Sequence, residues 1–143
     1  MKKCRKIAAL LLTALLVLAL CACSHHTVPE GTDPADIKNG DTVGMGATAM
    51  TVEVTDADGN KTTFEVHTDA KTVGAALQEL NLISGEKSDY GLYIKQVLGI
   101  TADYEADGTY WAFYIDGQYA ATGADMTNIK PGAVYSFVVE KMQ

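Results

Sequence analysis

The chain has 143 residues, with 11 basic against 18 acidic side chains, a net charge of −7 and 48% hydrophobic residues. That acidity argues against nucleic acid as a partner and against electrostatic adhesion to anionic lipid. All 3 cysteines lie at or before position 23, so a mature domain beyond that point forms no internal disulfide and stands on its hydrophobic core.

Residues 1–22 read as an address label. Lys2, Lys3, Arg5 and Lys6 form a basic opening, and the apolar run from Ile7 to Leu20 is interrupted only by Thr13. The run is shorter than the roughly 20 residues a membrane span needs, which is the pattern of a signal peptide. Leu20-Cys21-Ala22-Cys23 resembles a bacterial lipobox and makes Cys23 the expected lipidated first residue. Cys21 fits less well, because bulky Leu20 precedes it. Cleavage there leaves 7 Lys, no Arg and 18 acidic residues, a net charge of −11, with membrane attachment through acyl chains on Cys23. The expected localisation is extracytoplasmic, anchored to the bacterial cell membrane.

Residues 23–48 are polar and rich in Gly, Asp, Thr and Pro, and the expectation is a flexible tether. His25-His26 lacks a carboxylate or cysteine partner at ligand spacing, so no metal is expected there. Residues 49–143 form the expected folded domain. Met50, Val52 and Val54 alternate with polar neighbours in a first strand, and Thr62, Phe64 and Val66 continue in a second beyond the Asp56–Asn60 turn. The glycine of that turn comes too early for an EF-hand, and no closing glutamate follows. A helix is expected from Thr72 to Leu80, capped by Thr72 or Asp69, with Val73, Ala76, Leu77 and Leu80 on one face. A loop over Asn81–Tyr90 precedes a strand over Leu92–Ile100, bulged near Lys95–Val97. An acidic loop over Thr101–Thr109 leads to Tyr110–Gly123, which holds the only Trp and three of the 7 Tyr.

In that stretch Trp111, Phe113 and Ile115 alternate with Tyr110, Ala112 and Tyr114, and Asp116-Gly117 supplies a tight hairpin turn before a second short strand. A closing strand over Val134–Glu140 follows the Pro131-Gly132 turn. Hairpin, helix and further strands predict an α+β domain, β-grasp-like, with one helix packed on a small mixed sheet.

Four local marks carry a family resemblance: Thr72-Val73 opening the helix, Gly91 to Gly99 with Ile94 and Val97, Tyr110-Trp111 through Asp116-Gly117, and Gly123-Ala124 before Pro131-Gly132. Together they resemble the transcobalamin-like C-terminal domain family, a domain of bacterial surface lipoproteins, over nearly all of residues 49–141. The resemblance implies a small β domain of the kind that closes over cobalamin in vertebrate carriers. The large helical domain that completes the carrier's site is missing from this chain.

The residues themselves show no catalytic set, and His67 is the one histidine beyond the expected tether. An enzyme is therefore not expected, and no cofactor is required. Two functions stay open: a lipid-anchored binding module for a soluble ligand, with a corrinoid such as cobalamin as the ligand the resemblance implies, or an accessory module that meets a surface or uptake protein. The candidate contacts are Tyr110, Tyr114 and Tyr119, whose rings stack while their hydroxyls stay wet, together with Trp111. Trp111 shares its face with Phe113 and Ile115, which is the pattern of core. The tyrosines serve equally well as cross-strand pairs.

Overall fold

A computed structural model describes residues 26–143. The signal peptide, Cys21 and Cys23 lie outside the described residues. The described chain is α+β: a seven-stranded mixed sheet, a three-stranded antiparallel sheet and two short helices.

Strands β1 (His26–Thr27), β2 (Asp41–Val43), β3 (Thr48–Thr55) and β4 (Lys61–Thr68) build one half of the large sheet. The β3–β4 hairpin follows the alternation of its sequence: Met50, Val52 and Val54 face inward with Phe64 and Val66, and all five are buried. Asp56 closes the turn, its carboxylate accepting from the backbone N–H of Asp58 and of Asn60, each at 2.9 Å.

The stretch expected to be a tether is largely built into this sheet. β2 pairs parallel with β4, and β1 pairs parallel with β2. Val28, Ile37 and Val43 are buried in the core, and a 3₁₀ turn over Pro34–Asp36 is capped by Asp33. These few apolar residues are widely spaced in a polar sequence: Val43 is placed by its pairing with Val66, Val28 by its N–H bond to the Thr42 carbonyl, and Ile37 by the end of the 3₁₀ turn. The domain boundary therefore lies well before residue 49.

Helix α1 (Val73–Glu79) begins where Thr72 accepts from the backbone N–H of Ala75 at 3.3 Å. Its Val73, Ala76 and Leu77 are buried, and Asn81 ends it in the left-handed region at φ 57°. Gly74 permits a close approach, although to a turn rather than to the sheet. A Cβ there would stand 2.5 Å from Asp125 Cα, in a 3₁₀ turn over Ala124–Met126.

The expected loop after the helix is instead a strand, β5 (Ile83–Ser88), paired antiparallel with β6 (Gly91–Val97), which pairs in turn with β7 (Ile100–Thr101). Only Ile83 of β5 is buried, so β5 carries no alternating apolar signal. Its order comes from the ladder, across which Lys95 and Glu86 also form an exposed ion pair at 3.1 Å. The register slips opposite Lys95, in the place where the imperfect alternation predicted a bulge. The acidic loop contains helix α2 (Tyr104–Asp107), capped by Asp103 and ended by Gly108 at φ 73°.

Strand β8 (Thr109–Ile115) turns at Asp116-Gly117, φ 49° and 81°, into β9 (Gln118–Tyr119). Positive φ at both turn residues is what the twist of a two-residue hairpin requires. Strand β10 (Val134–Lys141) enters the middle of the sheet, parallel to β3 and antiparallel to β8, giving the order β1-β2-β4-β3-β10-β8-β9. Phe113 stacks on Phe137 with centroids 5.0 Å apart and on Tyr135 at 6.2 Å, forming the aromatic centre of the core.

Candidate functional site

The register between β8 and β10 sorts the aromatic residues onto opposite faces. Trp111 stands across from Val139 and Phe113 from Phe137 on the inner face, and Tyr110 stands across from Glu140 on the outer face. Trp111 is 8% exposed and belongs to the core, and its indole Nε1 is buried without a hydrogen-bond partner. It is therefore not brought together with the tyrosines.

The three tyrosines do come together. Tyr110 donates its hydroxyl to Glu140 Oε2 at 2.8 Å, and Tyr114 donates to Glu140 Oε1, so one carboxylate holds both rings. Tyr119, 65% exposed, meets Tyr114 edge-on with centroids 5.4 Å apart. The Tyr114 hydroxyl is pushed up to about 12, chiefly by its hydrogen bond to Glu140 and then by desolvation and the carboxylate's charge. The same causes raise Tyr110. Both rings are thus neutral phenols at physiological pH. With their O–H donors turned to Glu140, they offer lone pairs outward. The result is an acceptor-rich aromatic patch with an acidic centre, suited to flat ligands or sugars edged with N–H or O–H donors.

Glu140 went unnoticed in the sequence because it lies 26 residues or more from its partners. The signal was present only as an outward position in the closing strand, and it becomes readable once the β8–β10 register is known.

The outer face continues across Ser136, Glu53, Thr51, Glu65 and His67. Ser136 donates to Glu53 Oε2 at 3.2 Å, and His67 Nε2 lies 2.5 Å from Glu65 Oε1. His67 is thus paired with Glu65 on the sheet surface. His26 lies 3.4 Å from Asp41. Among the described residues no group of three or more His, Cys, Asp or Glu side chains is placed to hold a metal ion. A concavity away from the tyrosines is lined by Gln78, Lys87, Ser88, Gly91, Leu92 and Asp125.

Residues 70–139 match the family described as a domain of unknown function (DUF4430). No curated protein matches the sequence. Among solved structures, haptocorrin in complex with Cbi is 18% identical over 71% of this chain, with a TM-score of 0.47. This chain spans 27% of that protein, and a likeness of this size bears no functional argument. The crystal structure of a candidate metal binding protein from Ruminococcus gnavus ATCC 29149 is 32% identical, with a TM-score of 0.64, over 68% of this chain and 100% of that one. With that identity over the whole of the Ruminococcus gnavus chain, the present chain belongs to the same family as that protein.

Proposed function

We propose that this chain is a lipid-anchored extracytoplasmic binding module, not an enzyme, and that its outer sheet face receives a soluble ligand. The observation that carries this reading is the Tyr110–Glu140–Tyr114 fork with Tyr119 beside it. Rings fixed by a shared carboxylate lose little rotamer freedom when a ligand lands on them, so the patch is preorganised. Its acceptors favour a ligand bearing peripheral amides or hydroxyls, and its charge disfavours phosphates. A corrinoid, flat and edged with amides, fits the first requirement. The order of β3–β4 hairpin, α1 and a closing strand parallel to β3 supports a β-grasp-like, transcobalamin-like arrangement. The anchor rests on the lipobox at Leu20–Cys23.

A sheet face is one wall and not an enclosure. The expected affinity for a small ligand is micromolar or weaker, about −8 kcal/mol or less favourable, unless a second protein completes the site. The test is a titration of the Ser24–Gln143 fragment with corrinoids, porphyrins and glycans, repeated on the Tyr110→Ala/Tyr114→Ala double variant. Loss of binding with an unchanged melting curve supports the patch. A double variant that folds and binds like the parent overturns it. Binding only to an extracted surface or uptake protein would favour the accessory-module reading, in which Tyr119 on the β9 edge is the contact. For the anchor, Cys23→Ala should abolish acylation and processing, and Cys21→Ala should leave both intact. Normal acylation of the Cys23→Ala chain would refute the assignment.

A further inference from the structure

Away from the tyrosines, a cavity of about 260 Å³ opens between α1, the β5–β6 hairpin and the 3₁₀ turn at Ala124–Met126. Asp125 is its one acidic lining residue. The carboxylate accepts the Leu92 backbone N–H through Oδ2 at 3.1 Å, and Oδ1 is buried without any partner. Three glycines make room for this side chain. A Cβ on Gly91, at φ 104°, would stand 2.9 Å from both carboxylate oxygens; one on Gly123 would stand 2.9 Å from Oδ1, and one on Gly74 would meet the Asp125 backbone at 2.5 Å. A buried carboxylate oxygen left unpaired is costly, and the glycines packed beside it offer it no donor.

We propose that this cavity is a receptor site for the primary ammonium group of a small organic amine, with Asp125 as its anion. The chemistry of the site selects this class. The Leu92 N–H already takes one lone pair of Oδ2, which makes a two-point guanidinium fork less favourable than a single-point ammonium. A lone carboxylate offers too few ligands for a divalent metal ion. An ammonium is a compact point charge that needs one strong acceptor; the lining adds a neutral acceptor in the Gln78 amide and an apolar side chain, Leu92, for its alkyl stem. The acidic chain attracts such a cation. Lys87 also lines the cavity and forms no ion pair among the described residues, so it is the one internal competitor.

The test is an amide-resolved NMR titration of the full chain in non-ionic detergent with propylammonium chloride, using propan-1-ol and sodium chloride as controls. Saturable shifts at Leu92 and Gly91 with the ammonium alone are expected. Asp125→Asn keeps an oxygen for the Leu92 N–H and should leave the melting curve in place, while weakening propylammonium binding by about tenfold or more. Lys87→Gln should bind as well as the parent or better, and the Tyr110→Ala/Tyr114→Ala variant should bind like the parent. Three results overturn the proposal: no saturable shift, equal binding by Asp125→Asn, or binding that appears only after Lys87→Gln. The last would make Lys87 the resident partner. Loss of ammonium binding in the folded tyrosine variant would also overturn it, by moving the amine to the tyrosine face, whereas failure of corrinoid binding at the tyrosines leaves this site untouched.

Discussion

Trp111 offers a sharp test of the core, because its burial and its unpaired N–H act in opposite directions. The residue is 8% exposed and sits in the core cluster beside Phe113, so Trp111→Ala removes a large apolar surface and leaves a cavity. The expected loss is about 3–5 kcal/mol. Trp111→Phe should cost far less. It gives up part of the ring but also removes an indole N–H that is buried without a partner, whose desolvation costs about 1–3 kcal/mol. The two effects nearly offset, and the net loss should stay within about 1.5 kcal/mol. Urea unfolding followed by far-ultraviolet circular dichroism measures both, since neither variant retains the tryptophan as a fluorescent reporter. Equal slopes with a large midpoint shift for Ala and a small one for Phe are the expected pattern. A loss well under 1 kcal/mol for Trp111→Ala would place the indole at the surface and refute the reasoning. A Phe variant as unstable as the Ala variant would show that the N–H has a partner after all.

Tyr114, raised to about 12, and Tyr110, also raised, are held neutral by Glu140. An acid whose folded value lies above its unfolded value of 10.0 contributes stability below pH 10 that is lost as pH climbs through about 12. Phenolate absorbance should therefore show two late-titrating tyrosines that return toward the ordinary range in Glu140→Gln, and an unchanged titration in that variant would contradict the fork. Gly91→Ala, strained at φ 104° and pressed 2.9 Å from the Asp125 carboxylate, should destabilise by about 1–3 kcal/mol. Gly59→Ala, also at positive φ (85°) but with nothing within 4 Å, should cost less, and equal melting temperatures for the two would sink the steric argument. Deleting residues up to Val43 removes Val28, Ile37 and Val43 from the core, each worth about 1.5–3 kcal/mol, so the shortened chain should melt well below the parent. An unchanged melting curve would restore the tether.

The parts legible in the sequence were those whose pattern is local. The alternation of Met50, Val52 and Val54, the Thr72 cap and the Asp116-Gly117 turn each act within a few residues, and the structure places all three as expected. β2 and β5 were not legible, for a common reason. Asp41-Thr42-Val43 and Ile83–Ser88 carry little apolar alternation of their own, and they become strands because β4 and β6 supply the hydrogen-bond partners. The site divides in the same way. Period two placed Tyr110 and Tyr114 together and on the face opposite Trp111. Their acceptor Glu140 and the carboxylate Asp125, which meets Leu92 across 33 residues, depend on tertiary register.

The position of β10 has a consequence for when this protein can exist as a folded object. The strand that ends at Lys141 lies between β3 and β8, so until it arrives the sheet is two halves with facing, unpaired edges. Nothing short of almost the whole sequence can close the core, and its pairing with β3 spans more than eighty residues, a long loop that slows folding. A chain leaving the ribosome would therefore stay loose until β10 has emerged. The same geometry makes a nascent or C-terminally clipped chain vulnerable: the exposed edges of β3 and β8 would offer themselves to any other strand in reach, including those of a second copy.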